Sequence, residues 1–521
     1  MSGVSRRHFM FGALLAGAIP RAGFGSVPSL KALGYQSPNE KLNIAGIGAG
    51  GQALGDLRNC SSENIVSLAD VDWARAAQGF ETFPKATRHK DYRKMLEKDG
   101  KTFDAVVIGT PDHTHAAAAL ACMQMGKGVY VEKPLTRTAW EARLLTDAAK
   151  KYKVATQMGN QGYSHEATRV AAEIIWSGEI GDVTEVHAFR GPTSWPQGTR
   201  VPSVPAPEPV PETLDWDLWL NGAAFRPYTS GGEAYKDAQY GFYLPFNWRG
   251  FYDFGTSLIG DWAIHICGPA NLALRLGSPI SVECVKQEGP SPVTFPDKIH
   301  LRWEFAKRGS MPPVTVNWYV NYPGPGGDAY TPAGMTVEQV RQIPGAGPTI
   351  ASAAGARAAA RGPAPAGGAT AADQAAARGR AGGGRAGGRG AGAPGAPAGP
   401  QGSGYNQIFV GTKGFLGTSG RGEGVGLIPG SRWADYSLPA PVLTRSPGHQ
   451  RDWIRACKGG EPACSNFSVA GPYTEWIVLG AVASRVPGKL VWDPVKMEVT
   501  NNRAANQYVR PNFRKGWELK L

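Results

Sequence analysis

The sequence predicts an α/β protein with two domains: a parallel sheet covered by helices, followed by an α/β domain built on a mainly antiparallel sheet. Three observations lead there. From Lys41 to about Met158, short apolar runs alternate with helical stretches, the pattern of strands buried on both faces. After Met158 the character changes, with an amphipathic helix, a strand of alternating type and several further strands. A stretch of Ala, Gly, Pro and Arg at 341–404 then interrupts the second domain. The boundaries that follow are 1–36 for a targeting segment and linker, 37–158 for the first domain, and 159–340 with 405–521 for the second.

The N-terminus reads Ser5-Arg6-Arg7-His8-Phe9-Met10, followed by the apolar run Phe11 to Ile19. Paired arginines before an apolar core too short to span a bilayer resemble a twin-arginine export signal. A periplasmic or secreted protein without a stable membrane anchor is therefore expected. In the first domain the strand candidates are Leu42 to Ile47, Ile65 to Ala69, Asp104 to Ile108, Val129 to Glu132 and Val154 to Met158. Helices are expected at Ala116 to Met125 and Ala139 to Lys151.

In the second domain His165 to Trp176 reads as a helix and Val183 to Phe189 as a strand. A proline-rich excursion at Pro192 to Pro211 and the aromatic stretch Phe242 to Phe254 follow. Val282 to Val285, His300 to Phe305 and Val314 to Val320 are further strands, and Tyr473 to Arg485 is a last helix. The insertion at 341–404 lacks the apolar residues to offset chain entropy and reads as a disordered surface loop.

Net charge is +13, but Arg6, Arg7, Arg21 and Lys31 contribute +4, and seven Arg against Asp373 in the insertion contribute +6. The remaining fold is nearly neutral, which argues against a nucleic-acid surface. The six cysteines form no C-x-x-C pair, and no His-Cys spacing suits zinc; no metal site is expected. Cys457 and Cys464 are close enough in sequence to invite a disulfide.

The chemistry starts at Leu42 to Gly51, LNIAGIGAGG. Gly46, Gly48 and Gly51 fall at the spacing G-x-G-x-x-G, after a strand and at the start of a helix. In a dinucleotide fold the first allows a tight turn, the second a close backbone approach to pyrophosphate, and the third close packing of helix on strand. A Rossmann domain is thus predicted. Asp70 ends the second strand nineteen residues after Gly51, where an acid is expected to bind ribose hydroxyls. Its charge favours NAD over NADP, although Arg75 is nearby, and Asp72 is an alternative contact. Asp70 and Asp72 could equally cap the helix starting at Trp73.

Three constellations carry candidate catalysis. Glu132-Lys133-Pro134 ends a strand of the parallel sheet, on the side where such folds bind ligands, and Pro134 restricts the Lys133 backbone. Asp261 and His265 lie four apart and would share a helix face, the acid fixing the tautomer of a general base. Thr110, His113 and His115, in Gly109-Thr110-Pro111-Asp112-His113-Thr114-His115, lie in a strand-to-helix loop placed to line the cofactor cleft.

Together, GIGAGG, GTPDHTH, the EKP triplet and FYDFGTSLIGDWAIH resemble the Gfo/Idh/MocA oxidoreductases, over roughly residues 41 to 335. The resemblance implies NAD(P), hydride transfer at a sugar or cyclitol hydroxyl, and a second domain whose open sheet often mediates homo-oligomerisation. It makes Lys133, Asp261 and His265 the catalytic set, with Trp248 and Arg249 as sugar contacts and Asn160 on the nicotinamide side. Two reactions fit: net oxidoreduction with tightly held NAD, or glycoside cleavage through transient oxidation and elimination.

Overall fold

The computed structural model describes residues 40–235, 240–321, 405–428, 432 and 436–521. The expected export signal and the insertion at 341–404 lie outside the described residues.

The first domain runs β1 (Asn43–Ile47), α1 (Gly51–Asn59), β2 (Asn64–Ala69), α2 (Trp73–Thr82), β3 (Thr87–His89), α3 (Tyr92–Asp99), β4 (Ala105–Ile108), α4 (Asp112–Gln124), β5 (Gly128–Val131), α5 (Ala139–Tyr152) and β6 (Thr156–Met158). Its strands pair in the order β3-β2-β1-β4-β5-β6, all parallel. The order reverses between β1 and β4, so a crevice opens above their C-terminal ends. β4 and β5 are buried throughout, as their unbroken apolar runs predict. The edge strand β3 was not expected, because Thr87-Arg88-His89 carries no apolar signal. It is held by Asp99, whose carboxylate accepts from Thr87 and Ser67 and pairs with His89.

The second domain comprises α6 (Glu166–Trp176), β7 (Val183–Arg190), α7 (Trp216–Leu220), α8 (Ser257–Asp261), α9 (Ala263–Ile266), α10 (Gly268–Ala273), β8 (Ser281–Glu288), β9 (Lys298–Phe305), β10 (Val314–Val320), β11 (Gln407–Gly411), β12 (Gly414–Ser419), β13 (Gly424–Ile428), α11 (His449–Cys457), α12 (Phe467–Ala483), β14 (Lys489–Asp493) and β15 (Glu498–Val499). The strands form a nine-stranded sheet, β13-β12-β11-β7-β10-β9-β8-β14-β15. Among the described residues of this sheet, only β7 and β10 pair in parallel. In β9, Ile299, Leu301, Trp303 and Phe305 are buried while Lys298, His300, Arg302 and Glu304 are half-buried, the two-residue period of a sheet with one covered face. Trp476 of α12 meets Trp303 and Phe305 edge-on at 5.3 and 5.5 Å. Gly480 lets that helix lie against Leu301 and Trp303, since a Cβ there would come within 2.6 Å of both.

The C-terminal segment also fixes the crevice. Trp453 and Ile454 of α11 are buried in one cluster with Leu42, Ile44 and Val107 of the first sheet. Arg143 of α5 donates to Glu475 of α12 at 3.0 and 3.1 Å. The expected Cys457–Cys464 bridge is not formed: all six cysteines are free. The Cys457 thiol faces Gly128, whereas Cys464 contacts the Ser164 hydroxyl.

Candidate active site

A cleft of about 540 Å³ runs from the glycine loop to the second sheet. At one end lie Gly48, Gly50, Gly51, Asp70 and Arg75; at the other lie Lys133, Trp248, Arg249, Asp261 and His265.

The glycines divide their tasks differently from the sequence expectation. Gly46 stays within β1, and a Cβ there would strike the Leu68 and Leu57 side chains at 2.8 and 2.9 Å. It therefore provides the close packing of helix on sheet. Gly48 makes the turn, at φ +88° and with Gly109 backbone 3.2 Å from any added Cβ. Gly51 opens α1 at φ +55°, facing the Arg75 guanidinium. Gly50 caps α1 without a side-chain hydrogen bond, and the first turn holds no acid. The free N–H groups and the helix dipole thus suit an anion, and these residues fit a dinucleotide pyrophosphate.

Asp70 does not cap α2. Its Oδ2 accepts from the Ala49 N–H at 2.8 Å and its Oδ1 from the Asp72 N–H at 2.9 Å, while Asp72 caps the helix through the Arg75 N–H. Asp70 therefore ties the glycine loop to the second strand. Burial raises its carboxyl to about 6, against the two N–H bonds that oppose the shift.

Thr110 lines the cleft, but His113 and His115 do not. The segment from Asp112 is already helical, so both rings turn inward. Nε2 of His113 contacts the Trp219 carbonyl at 2.9 Å, and the ring packs against Trp219 and Phe254. The nitrogens of His115 contact the carbonyls of Pro134 and Thr110 at 2.9 and 2.7 Å. Burial lowers His113 to about 3 and His115 to about 4. They brace the loop rather than touch a cofactor. Asn160 is also buried behind the surface, and Gln161 takes its expected place on the cleft wall.

Glu132 reaches the cleft, but its carboxyl is engaged from below. It accepts from the Gln161 amide at 2.9 Å and from the Lys133 N–H at 3.2 Å, and it pairs with the buried carboxyl of Asp56 on α1. Burial pushes both acids up, and the charge of Glu132 raises Asp56 further.

Lys133 donates to Asp261 Oδ1, and Arg249 Nε lies 3.4 Å from the same oxygen. Burial alone would raise Asp261, but Lys133 and then Arg249 outweigh it and hold the carboxyl below its usual range. The Arg249 guanidinium also stacks 4.3 Å from the rings of both Phe246 and Trp248. The expected Asp261–His265 pair is absent. α8 ends at Asp261 and α9 begins at Ala263, with Trp262 at φ −115° between them. The His265 N–H consequently bonds to the Trp262 carbonyl at 3.0 Å, a tighter turn that breaks the shared face. Among the described residues, neither ring nitrogen of His265 has a hydrogen-bond partner. Burial, then the charge of Lys133, holds its imidazole well below the usual value. The ring lies on the cleft wall with both nitrogens shielded from solvent.

Residues 41–160 match the NAD-binding Rossmann fold of the GFO_IDH_MocA oxidoreductase family. The first domain is thus an NAD-binding Rossmann domain. The chain is 33% identical over 125 residues to inositol 2-dehydrogenase 1 of Saccharopolyspora erythraea, covering 24% of this chain and 36% of that protein. It is 30% identical over 188 residues to inositol 2-dehydrogenase of Salmonella typhimurium, covering 34% and 54%. The chain thus spans between a third and about half of the length of these curated relatives. The WlbA dehydrogenase of Bordetella pertussis, solved with NADH and UDP-GlcNAcA, superposes with a TM-score of 0.51 at 12% identity, over 87% of this chain and 99% of that one. At that identity the likeness concerns the fold.

Proposed function

We propose that the protein is an NAD-dependent oxidoreductase acting on a sugar or cyclitol hydroxyl. The observation that carries this reading is the His265 ring, without a hydrogen-bond partner among the described residues, beside the Lys133–Asp261 pair and in the same cleft as the glycine loop; burial and Lys133 hold it below its usual value and so favour its neutral form. NAD, when bound, supplies a hydride acceptor. Lys133 donates to the substrate hydroxyl and orients it. His265 takes the hydroxyl proton as hydride leaves, for which a neutral imidazole is the required form. Asp261 acts through Lys133: its buried charge fixes the ammonium rather than the imidazole. Asp70 and its ordered loop favour the ribose diol of NAD over a 2′-phosphate. The curated relatives matched above are dehydrogenases by name, which favours net hydride transfer over redox-assisted glycoside cleavage.

Export by the twin-arginine route belongs to the same proposal. Outside the cytoplasm the dinucleotide would be loaded before transport and retained, and the partly solvated face of the second sheet would support a homo-oligomer. The test is to denature protein recovered after export, identify the released dinucleotide, and assay native protein with inositol and a sugar panel. Co-purified NAD with reduction by one of these polyols is the expected result. An empty protein that reduces no bound or added NAD contradicts the reading.

A further inference from the structure

The substrate end of the cleft carries more positive charge than its chemistry uses. Lys133 and Arg249 share Asp261, yet two further guanidinium groups line the same wall, Arg190 at the end of β7 and Arg421 in the β12–β13 turn. Both lie over the Trp262 indole, which adjoins Asp261 in sequence. The Arg190 guanidinium is 3.7 Å from the ring centroid and that of Arg421 is 5.4 Å. Among the described residues neither side chain has a hydrogen-bond or ion-pair partner. Glu423, the acid nearest Arg421 in sequence, accepts from the Arg421 backbone N–H instead.

Two arginines held against one indole would repel each other, and Arg190 is half-buried. Burial and the charge of Arg421 disfavour its cation, with only Asp261 opposing them. A desolvated cation without a partner is costly, whereas stacked guanidinium planes leave their N–H edges free to grip an oxyanion. Arg421 also acts electrostatically on His265, which places the pair on the reacting side and away from the glycine loop.

We propose that Arg190 and Arg421, stacked on Trp262, recognise an oxyanion carried by the substrate, so that this site takes acidic sugars in preference to neutral ones. The inference rests on the sugar oxidoreductase reading and specifies its substrate class. A carboxylate on the sugar or a phosphate ester would each satisfy the pair.

The experiment measures binding to NADH-loaded protein by calorimetry for glucuronate, galacturonate and glucose 6-phosphate against glucose and galactose, with NAD reduction assayed in parallel. At least one acid should bind about tenfold or more tightly than its neutral counterpart; the uronate and phosphate arms identify the anion. Arg421→Gln, at an exposed turn, and Arg190→Gln should each narrow that ratio about fivefold or more while NADH affinity stays unchanged. Equal binding of acids and neutral sugars, or no binding of any acid, overturns the proposal. So do variants that weaken NADH and leave the ratio intact, since the pair would then serve the cofactor. A preserved acid preference without any turnover would contradict the hydride-transfer reading and leave the recognition site standing.

Discussion

Two histidine-bearing segments face the same crevice, and they do opposite things with their imidazoles. In the loop Gly109 to His115 the helix begins at Asp112, so His113 and His115 turn inward onto the carbonyls of Trp219, Pro134 and Thr110. In Gly260 to His265 the helix breaks at Trp262, and His265 faces the cleft with neither nitrogen engaged. All three rings are buried and their pKa values are lowered. Burial and titration therefore do not separate a brace from a catalyst. What separates them is that each bracing ring has at least one nitrogen on a carbonyl, whereas His265 has none and lies on the cleft wall.

Lys133→Met removes the group that orients the hydroxyl and leaves Asp261 with Arg249 alone; kcat should fall by about 10²–10⁴-fold in a steady-state assay, with NADH affinity unchanged. Gly48→Ala forces a side chain into φ +88° against Gly109. NADH should bind at least about tenfold more weakly, as read by fluorescence titration.

Asp112, beside the bracing histidines, is raised by burial to about 7 from an ordinary value near 3.8, although it accepts from the Thr256 hydroxyl. The folded state thus binds a proton that the unfolded chain has released, and wild-type stability is lost as pH rises from about 4 through 7. Asp112→Asn should be more stable than wild type by about 2–4 kcal/mol at pH 8, with the gain vanishing toward pH 4 in denaturant titrations; the helix N-terminus, which favours the anion, sets the lower figure. The smallest effect is in the pH profile. His265 is already neutral above its depressed value, so kcat/KM should show no histidine inflection near an ordinary 6.5.

Much of the first domain is legible in the sequence because its signals are local. GIGAGG, Asp70 and the EKP triplet each sit at the end of a strand whose apolar run announces it, and the sheet brings those ends together. What escaped depends on contacts distant in sequence or on one backbone break. Lys133 meets Asp261 across 128 residues, whereas spacing alone assigns the acid to His265. The inward rotation of His113 and His115 follows from where α4 starts. Arg190 and Arg421 converge on Trp262 from β7 and from a turn beyond the insertion, and no motif links them. The buried Asp56–Glu132 pair is likewise invisible until α1 is laid against the parallel sheet.

The most direct measurement compares turnover of His265→Ala and His115→Ala, each normalised to bound NADH. Loss of His115 removes the one N–H that its neutral ring can donate to the carbonyl of Pro134 or Thr110, leaves a cavity, and should cost about 2–4 kcal/mol of stability, with kcat per bound cofactor within a few-fold of wild type. Loss of His265 should lower kcat by about 10²–10⁴-fold with little change in stability or NADH affinity. Equal turnover in the two variants, or full activity without His265, would contradict the assignment of His265 as the catalytic base.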